Sequence, residues 1–486
     1  MFTPTLEEMK ALPITDENYI PIKKEIYADL FSPISVLKKL KSVSDHCFIL
    51  ESHEDQNKWG RYSFIGCNPK HEITCNNSRL FVDGKDKGRQ NPNEAIRKIL
   101  KENKSYKLEG FPTLTGGLVG FFAFDYMKYQ EPSIEWPKKQ ASHFKDVDLM
   151  LFSDIICFDH YRQTLMIITQ IDAHNIDEDY DKACRHIEEI EHLIKKEYID
   201  FEEPLRLKSE FTSMFTKEEY CQCVEKCKQY IRDGDIFQVV LANRLEATCS
   251  GSLLDTYRVL RTTNPSPYMF YFYSDSMEVA GSSPETLVKL TEDELYTFPI
   301  AGTRKRGKDA KEDKVLSEDL LHDEKELSEH NMLVDLGRND LGRVAKMGSV
   351  KVIDYKKILK FSKVIHMASV VEGKLKEGND AIDVIGALLP AGTLSGAPKI
   401  RACEIINELE TVKRGIYGGA IGYLDFNGNM DTCIGIRLAY KKSNKVYVCS
   451  GAGIVYDSVP ENEYRECQQK ASAIVEALQI ASGGID

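Results

Sequence analysis

The segments Phe237-Gln-Val-Val-Leu-Ala-Asn-Arg-Leu-Glu-Ala247, Tyr268-Met-Phe-Tyr-Phe-Tyr273, Met277-Glu-Val-Ala280 and Leu287-Val-Lys-Leu290 follow one another in the middle of the chain. Each is short, rich in β-branched and aromatic residues, and bounded by Gly, Pro, Asn or Ser, which reads as a run of strands. Upstream, Ile34 to Leu50 reads as a helix followed by a strand ending in Cys47-Phe48-Ile49-Leu50. Trp59 to Gly66, Leu118 to Phe124 and Met150 to Asp159 read as further strands, and Ile176 to Tyr198 as a solvated helix. Downstream, Lys217 to Asp233, Asp319 to Leu333 and Asn462 to Ala481 read as helices, the last introduced by Pro460. Thr432 to Tyr440 and Val446 to Gly451 read as a late hairpin. Strands and helices arrive in clusters, not in strict alternation. That pattern favours α+β with large antiparallel sheets over a doubly wound parallel sheet. The polar stretch 203–212 suggests a join, dividing the chain into 1–205 and 206–486, two regions expected to intertwine.

The chain has 486 residues, 42% hydrophobic and 29% charged, enough for a core of normal density. Its net charge of −12 argues against a nucleic-acid partner, since a phosphate-binding surface carries a basic excess. An anionic substrate would then be met by a few local cations, dipoles or a metal. No apolar run reaches the roughly 18 residues of a membrane span, and MFTPTLEEMKALP is not a signal peptide. Thirteen cysteines without framework spacing read as reduced thiols of a cytoplasmic protein. Cys221, Cys223 and Cys227 fall on a helical pattern and lack a fourth ligand nearby, so they read as helix-face thiols.

Two carboxylate pairs stand out: Glu326-Leu-Ser-Glu329 and Glu463-Tyr-Arg-Glu466. Each is i, i+3 on an expected helix, so its carboxylates share a face. Two such faces turned together would need a cation, and Mg²⁺ suits hard oxygen ligands. A lone pair of this kind is more often a solvated helix face. Phe298-Pro-Ile-Ala-Gly-Thr-Arg304, Ala391-Gly-Thr-Leu-Ser-Gly-Ala-Pro-Lys399 and Ser450-Gly-Ala-Gly453 could each bring backbone N–H groups to an anion. Their spacings match neither a phosphate loop nor a dinucleotide fingerprint, which speaks against ATP and NAD. Arg437 fits a substrate carboxylate and a structural ion pair equally well. His366, in an apolar run, is more often a satisfied core residue. The chain shows no GxSxG elbow and no Gly-x-Cys-x-Gly loop, so glutamine-derived ammonia would have to come from another chain.

Taken together, from about 215 to 480, these motifs resemble the chorismate-utilising enzymes. That family comprises anthranilate, aminodeoxychorismate, isochorismate and salicylate synthases. The resemblance implies a sandwich of large antiparallel sheets with helices outside. It also implies Mg²⁺ held by Glu329 and Glu466, with Glu326 and Glu463 supporting through waters. Arg437, Tyr417 and the Gly451-Ala452-Gly453 backbone would hold the enolpyruvyl carboxylate, and Thr393, Gly302, Thr303 and Gln238 would line the substrate. Glu285 would protonate the departing C4 hydroxyl, and His366 would assist loss of pyruvate.

Two positions sort the family's members. Gln238 stands where water-adding relatives carry a lysine, and Ala301 where aminodeoxychorismate synthases carry a nucleophilic one. The resemblance therefore implies a lyase that forms anthranilate and pyruvate from chorismate and ammonia through an aminodeoxyisochorismate. Aminodeoxychorismate synthesis, in the folate pathway, is the alternative. It also implies a glutamine amidotransferase partner subunit. Tryptophan feedback is implied at Leu50-Glu51-Ser52 and Pro267-Tyr268-Met269 in the N-terminal region and its neighbouring strand.

Overall fold

The computed structural model describes residues 1–52, 60–132, 134, 144–197, 202–274, 277–360 and 364–485. Trp59, Tyr198 and Lys363 lie outside the described residues. Among the described residues two sheets, of 14 and 12 strands, carry the fold. Their facing sides meet in an aromatic core: Phe48, Phe270 and Phe272 of the first sheet pack against Val119, Phe121, Phe152 and Tyr423 of the second. The Phe48 and Phe152 rings meet edge to face at 4.7 Å. Each such side chain contributes roughly 1.5–3 kcal/mol by leaving water. Helices Pro33–Lys41, Ile176–Lys195, Leu254–Thr263 and Pro460–Ser482 cover the outer face of the first sheet. Helices Asn93–Glu102, Glu324–Gly342 and Ala381–Leu388 cover the second. This is the α+β sandwich expected from the strand clusters.

Both sheets draw strands from either side of residue 206. His46–Glu51 pairs with Tyr268–Ser274 in the first sheet, and Gly117–Phe122 pairs with Ala420–Asp425 in the second. Four short connections carry the chain directly from one sheet to the other. They join Tyr62–Cys67 to His71–Asn76, Val147–Phe152 to Ile155–Asp159, Met277–Ser283 to Thr286–Thr291, and Met430–Ile434 to Leu438–Lys442.

These crossings correct two expected elements. Met150 to Asp159 is not one strand but the end of one and the whole of another, on different sheets. Thr432 to Tyr440 is broken at Gly435-Ile436-Arg437, so only Leu438–Lys442 forms the hairpin with Lys445–Ile454. A period of two says which residues are inward but not which sheet they join. The expected helix Asp319 to Leu333 is also two helices, Ala310–His322 and Glu324–Gly342. Asp323 ends the first in extended geometry and caps the second, its carboxylate accepting from the backbone N–H groups of Lys325 and Glu326. Among the described residues no helix is long and apolar enough to cross a membrane.

Candidate active site

Two of the four sheet crossings run side by side. The Ser282 N–H donates to the Arg437 carbonyl at 3.0 Å, and the Ile434 N–H donates to the Glu285 carbonyl at 2.9 Å. The Ser283 hydroxyl adds a bond to the Ile434 carbonyl at 2.7 Å. Glu285 and Arg437 are therefore placed together by backbone, at the two points where the sheets exchange strands. The geometry is demanding. Arg437 has φ +50°, a left-handed conformation costing of order 1–3 kcal/mol for a non-glycine residue. A Cβ on Gly435 would fall on the Ile416 carbonyl.

Such strain marks a site when the side chain is also unusual, and here it is. Among the described residues the Arg437 guanidinium makes no hydrogen bond or ion pair, so the structural ion pair that the sequence left open is not what holds it. Burial lowers its pKa, and the nearby Glu285 charge opposes that shift. Burial pushes the Glu285 carboxyl up to about 7, while Thr393, Lys470 and Arg437 pull the other way. A carboxyl in that range is partly protonated at neutral pH, as a general acid must be. The Thr393 hydroxyl stands close enough to bear on Glu285 but is otherwise buried without a fully formed hydrogen bond. It is a polar atom in want of a partner.

Next to this pair lies a glycine-lined strand. Lys445–Ile454 runs antiparallel to Gln238–Ser250, with Ala242 opposite Gly451, Leu241 opposite Ala452 and Val240 opposite Gly453. A Cβ on Gly453 would stand 2.6 Å from the Gln238 Nε2, so the glutamine amide lies directly over the glycine. The Tyr417 hydroxyl is 3.0 Å from where a Gly451 Cβ would be. Behind this wall sits a buried pair that the sequence reading missed. Arg414 Nε donates to Glu410 Oε2 at 2.8 Å, and Arg414 Nη2 donates to the Val240 carbonyl at 2.7 Å. Its Nη1 reaches the Leu394 carbonyl, and the guanidinium lies 4.5 Å from the Phe124 ring. Arg414 thus ties the Thr393 loop to the Gln238 strand. Both residues follow the end of helix Lys399–Leu409, so no helical spacing announces the pair.

Of the two carboxylate pairs, Glu329 and Glu466 are near enough across the gap between their helices to feel each other's charge. Glu326 and Glu329 lie in helix Glu324–Gly342, and Glu463 and Glu466 in helix Pro460–Ser482. Burial raises the Glu329 pKa, and the negative charges of Glu326 and, across the gap, Glu466 raise it further. Glu463 is raised by burial and by Glu466. Lys470, also unanticipated from sequence, extends to Glu466 at 2.8 Å and to the Gly451 carbonyl at 3.2 Å. Its charge partly offsets the acidic excess at Glu285, Glu329 and Glu463. Among the described residues, no three His, Cys, Asp or Glu side chains stand close enough to enclose an ion. Mg²⁺ does not require that, since it often takes one or two carboxylates and fills its shell with water and substrate oxygens. Desolvated, mutually repelling carboxylates on facing helices fit such an ion.

His366 completes the neighbourhood. It sits opposite Thr303 in the strand register. Its Nδ1 lies 3.0 Å from the Gly302 carbonyl and 3.1 Å from the Thr303 hydroxyl. A proton on Nδ1 donated to Gly302 makes Nε2 the basic nitrogen. Burial lowers its pKa, and the Arg437 charge acts in the same direction, so the ring is neutral at pH 7.

The remaining candidates lie elsewhere. Leu50 and Glu51 pair with Phe270 and Met269, so the two expected feedback segments are adjacent. Glu51 is already engaged: Tyr257 donates to its Oε2 at 2.5 Å, Ser63 donates to Oε1 at 3.2 Å, and Arg261 forms an ion pair at 2.7 Å. Tyr268 sits opposite Ser283, two residues before Glu285. Its hydroxyl donates to Asp431 at 2.8 Å and lies 3.1 Å from the Thr286 hydroxyl. Cys221, Cys223 and Cys227 lie on helix Lys217–Arg232 as free thiols, and burial pushes Cys227 up to about 12. An open groove of about 1220 Å³ between Tyr27, Leu30, Phe31, Lys38 and Lys39 touches none of the candidate residues.

Comparison with known proteins identifies the family. The chorismate binding enzyme family model matches residues 45–476. Anthranilate synthase component 1 of Acetivibrio thermocellus is 44% identical, with 99% of each chain covered. That of Aquifex aeolicus is 44% identical over 98% of each. The crystal structure of anthranilate synthase component I from Streptococcus pneumoniae superposes with a TM-score of 0.75 at 34% identity, covering 92% of this chain and 98% of that one. The menaquinone-specific isochorismate synthase of Escherichia coli, at 21% identity and a TM-score of 0.72, shares the fold. With the match spanning both sheets and every element around Glu285, the chain belongs to the family of chorismate-binding enzymes.

Proposed function

We propose that this chain is the chorismate-consuming component of an anthranilate synthase, turning chorismate and ammonia into anthranilate, pyruvate and water. The observation that carries the reading is the pairing at the sheet crossings: a carboxyl held near neutrality beside a buried guanidinium that makes no hydrogen bond or ion pair among the described residues. Chorismate has a hydroxyl that must leave and a side-chain carboxylate that must be held, and the pair supplies a group for each. Relatives 44% identical over nearly their whole length carry the name anthranilate synthase component 1, which supports this branch over aminodeoxychorismate synthesis.

In this reading Arg437, Tyr417 and the Gly451–Gly453 backbone hold the enolpyruvyl carboxylate. Glu329 and Glu466 would hold Mg²⁺, which when bound supplies positive charge for the ring carboxylate. Glu285 gives its proton to the C4 oxygen as ammonia bonds to C2 and the ring double bond shifts, so the oxygen leaves as water. Ammonia brings its own lone pair. Gln238 therefore needs no basic function, and its amide can line the approach. Without an amine at Ala301 no covalent attack from that strand competes. Neutral His366, near the Gly302-Thr303 turn, assists the second step. The C2 proton is removed, the enolpyruvyl C–O bond breaks, pyruvate departs and the ring becomes aromatic.

The ammonia comes from a partner subunit that hydrolyses glutamine, and tryptophan inhibits. Glu51, tied to Arg261 and Tyr257, fixes the strand end so that Ser52 and the adjacent backbone face the ligand. Tyr268 and its bonds to Asp431 and Thr286 link that region to Glu285. The test is product analysis. Chorismate, Mg²⁺ and an ammonium salt, incubated with the chain and separated by chromatography, give equal amounts of anthranilate and pyruvate. An amino-chorismate that retains its enolpyruvyl group would instead place the chain in the aminodeoxychorismate branch.

A further inference from the structure

Glu326 does not point freely at its partner glutamates. It lies in the first turn of helix Glu324–Gly342, and its carboxylate rests over the Gly302-Thr303 turn. There Oε2 is 3.1 Å from the place a Gly302 Cβ would occupy. The other oxygen faces Arg304. Arg304 stands on strand Ile300–Lys305, directly after the turn whose groups meet His366. Its guanidinium is spread over four acceptors. Nε donates to Asp319 Oδ2 at 2.8 Å, in helix Ala310–His322. Nη2 donates to Asp323 Oδ2 at 2.8 Å, on the residue that caps the next helix. Nη1 donates both to the Thr303 carbonyl at 3.2 Å and to Glu326 Oε1 at 3.3 Å.

We propose that Arg304 is a positioning residue for the acidic site, its guanidinium drawing Glu326 onto the Gly302-Thr303 turn so that Glu329 and Glu466 are left to take the divalent cation. This inference rests on the magnesium reading above and deepens it. A residue that merely welded the two helices would need only Asp319 and Asp323. Arg304 instead spends one nitrogen on the substrate-side turn and on a member of the carboxylate pair. The planar fork is what makes this possible, because one rigid group offers N–H bonds in several fixed directions and an ammonium does not. The result is a division of labour between two otherwise equivalent glutamates. Glu326 is pinned to Arg304 and the turn, and Glu329 is left desolvated with Glu466 across the gap.

The experiment is isothermal titration of the full chain with Mg²⁺ alone, alongside thermal melting and the chorismate KM at saturating Mg²⁺. The variants are Arg304→Gln and Arg304→Lys, with Asp319→Asn as the control that weakens only the contact to helix Ala310–His322. Loss of an outer partner of a metal site typically weakens the metal about 10–100-fold. We expect Arg304→Gln to weaken Mg²⁺ at least about tenfold. Arg304→Lys should recover the melting temperature but not the Mg²⁺ affinity, and Asp319→Asn should lower the melting temperature slightly with Mg²⁺ affinity unchanged. If Arg304→Gln does not fold, Arg304→Lys carries the test alone. Folded Arg304 variants that bind Mg²⁺ within about twofold of the wild-type chain would overturn the proposal. A wild-type chain that never saturates with Mg²⁺, yet forms anthranilate, would overturn it together with the metal reading while leaving the reaction intact.

Discussion

Replacing Glu285 by Gln should make the protein more stable and much less active, and the two effects share one cause. Burial lifts the Glu285 carboxyl from an ordinary value of 4.5 to about 7. At pH 7 about half the molecules then hold the proton, against about one in 300 for an unperturbed glutamate. A folded pKa raised above the unfolded value means stability that is full below pH 4.5 and lost as pH rises through 7. At about 1.36 kcal/mol per unit the full loss is roughly 3.4 kcal/mol, and solvent screening at this partly exposed residue reduces it to roughly 1–2 kcal/mol. Gln keeps the shape and never ionises. Glu285→Gln should therefore melt at the same temperature as wild type near pH 5 and a few degrees higher at pH 8. Turnover should fall by about 10²–10⁴-fold, the usual worth of a positioned acid. The assays are melting scans at several pH values and anthranilate fluorescence with ammonium as nitrogen source. A variant that keeps activity within several-fold of wild type, or whose stability difference does not change between pH 5 and pH 8, would refute the assignment.

Three further outcomes follow from the same geometry. Arg437→Gly should relieve the left-handed strain, adding about 1 kcal/mol of stability. The same change should remove a charged bond to substrate, cutting kcat/KM for chorismate by about 10–100-fold. A variant both unstable and unchanged in chorismate KM would contradict that. Mg²⁺ should raise the melting temperature, by up to about 2.7 kcal/mol of stability at a hundredfold excess over its Kd. The gain should fade as pH drops and protons compete for Glu329 and Glu463, whose pKa values are raised, and Glu329→Gln should abolish it. Tryptophan should inhibit, and Ser52→Leu should weaken that inhibition about tenfold or more; undiminished inhibition in the variant would place tryptophan at another site.

Much of the site was legible because its chemistry is carried by short, spaced motifs. Both glutamate pairs do fall on helices, and Glu329 does feel the charge of Glu466 across the gap. Gly451 and Gly453 do leave room, one for the Tyr417 hydroxyl and the other for the Gln238 amide. What could not be read was how distant segments share space. Nothing in Ile434-Gly-Ile-Arg437 says that the strand stops and the chain changes sheets, yet that crossing sets Arg437 beside Glu285. Asp319 to Leu333 holds a helical pattern throughout, and only the capping bonds of Asp323 reveal the break. Lys470 and Arg414 carry no motif that marks them in the sequence. One reaches into the acidic cleft and the other is buried behind it, which depends on neighbours hundreds of residues away or on the packing of the closing helix. Glu51, expected to face a ligand, is held by Tyr257 and Arg261, partners that no local pattern announces.

The most direct measurement is one cuvette of purified chain with chorismate, Mg²⁺ and an ammonium salt at about pH 8.5, where free ammonia is plentiful and some Glu285 still carries its proton. Anthranilate fluorescence should rise without glutamine, stop on addition of a chelator and resume with added Mg²⁺. Chorismate that stays intact, or is consumed with no fluorescence, would contradict the anthranilate synthase reading.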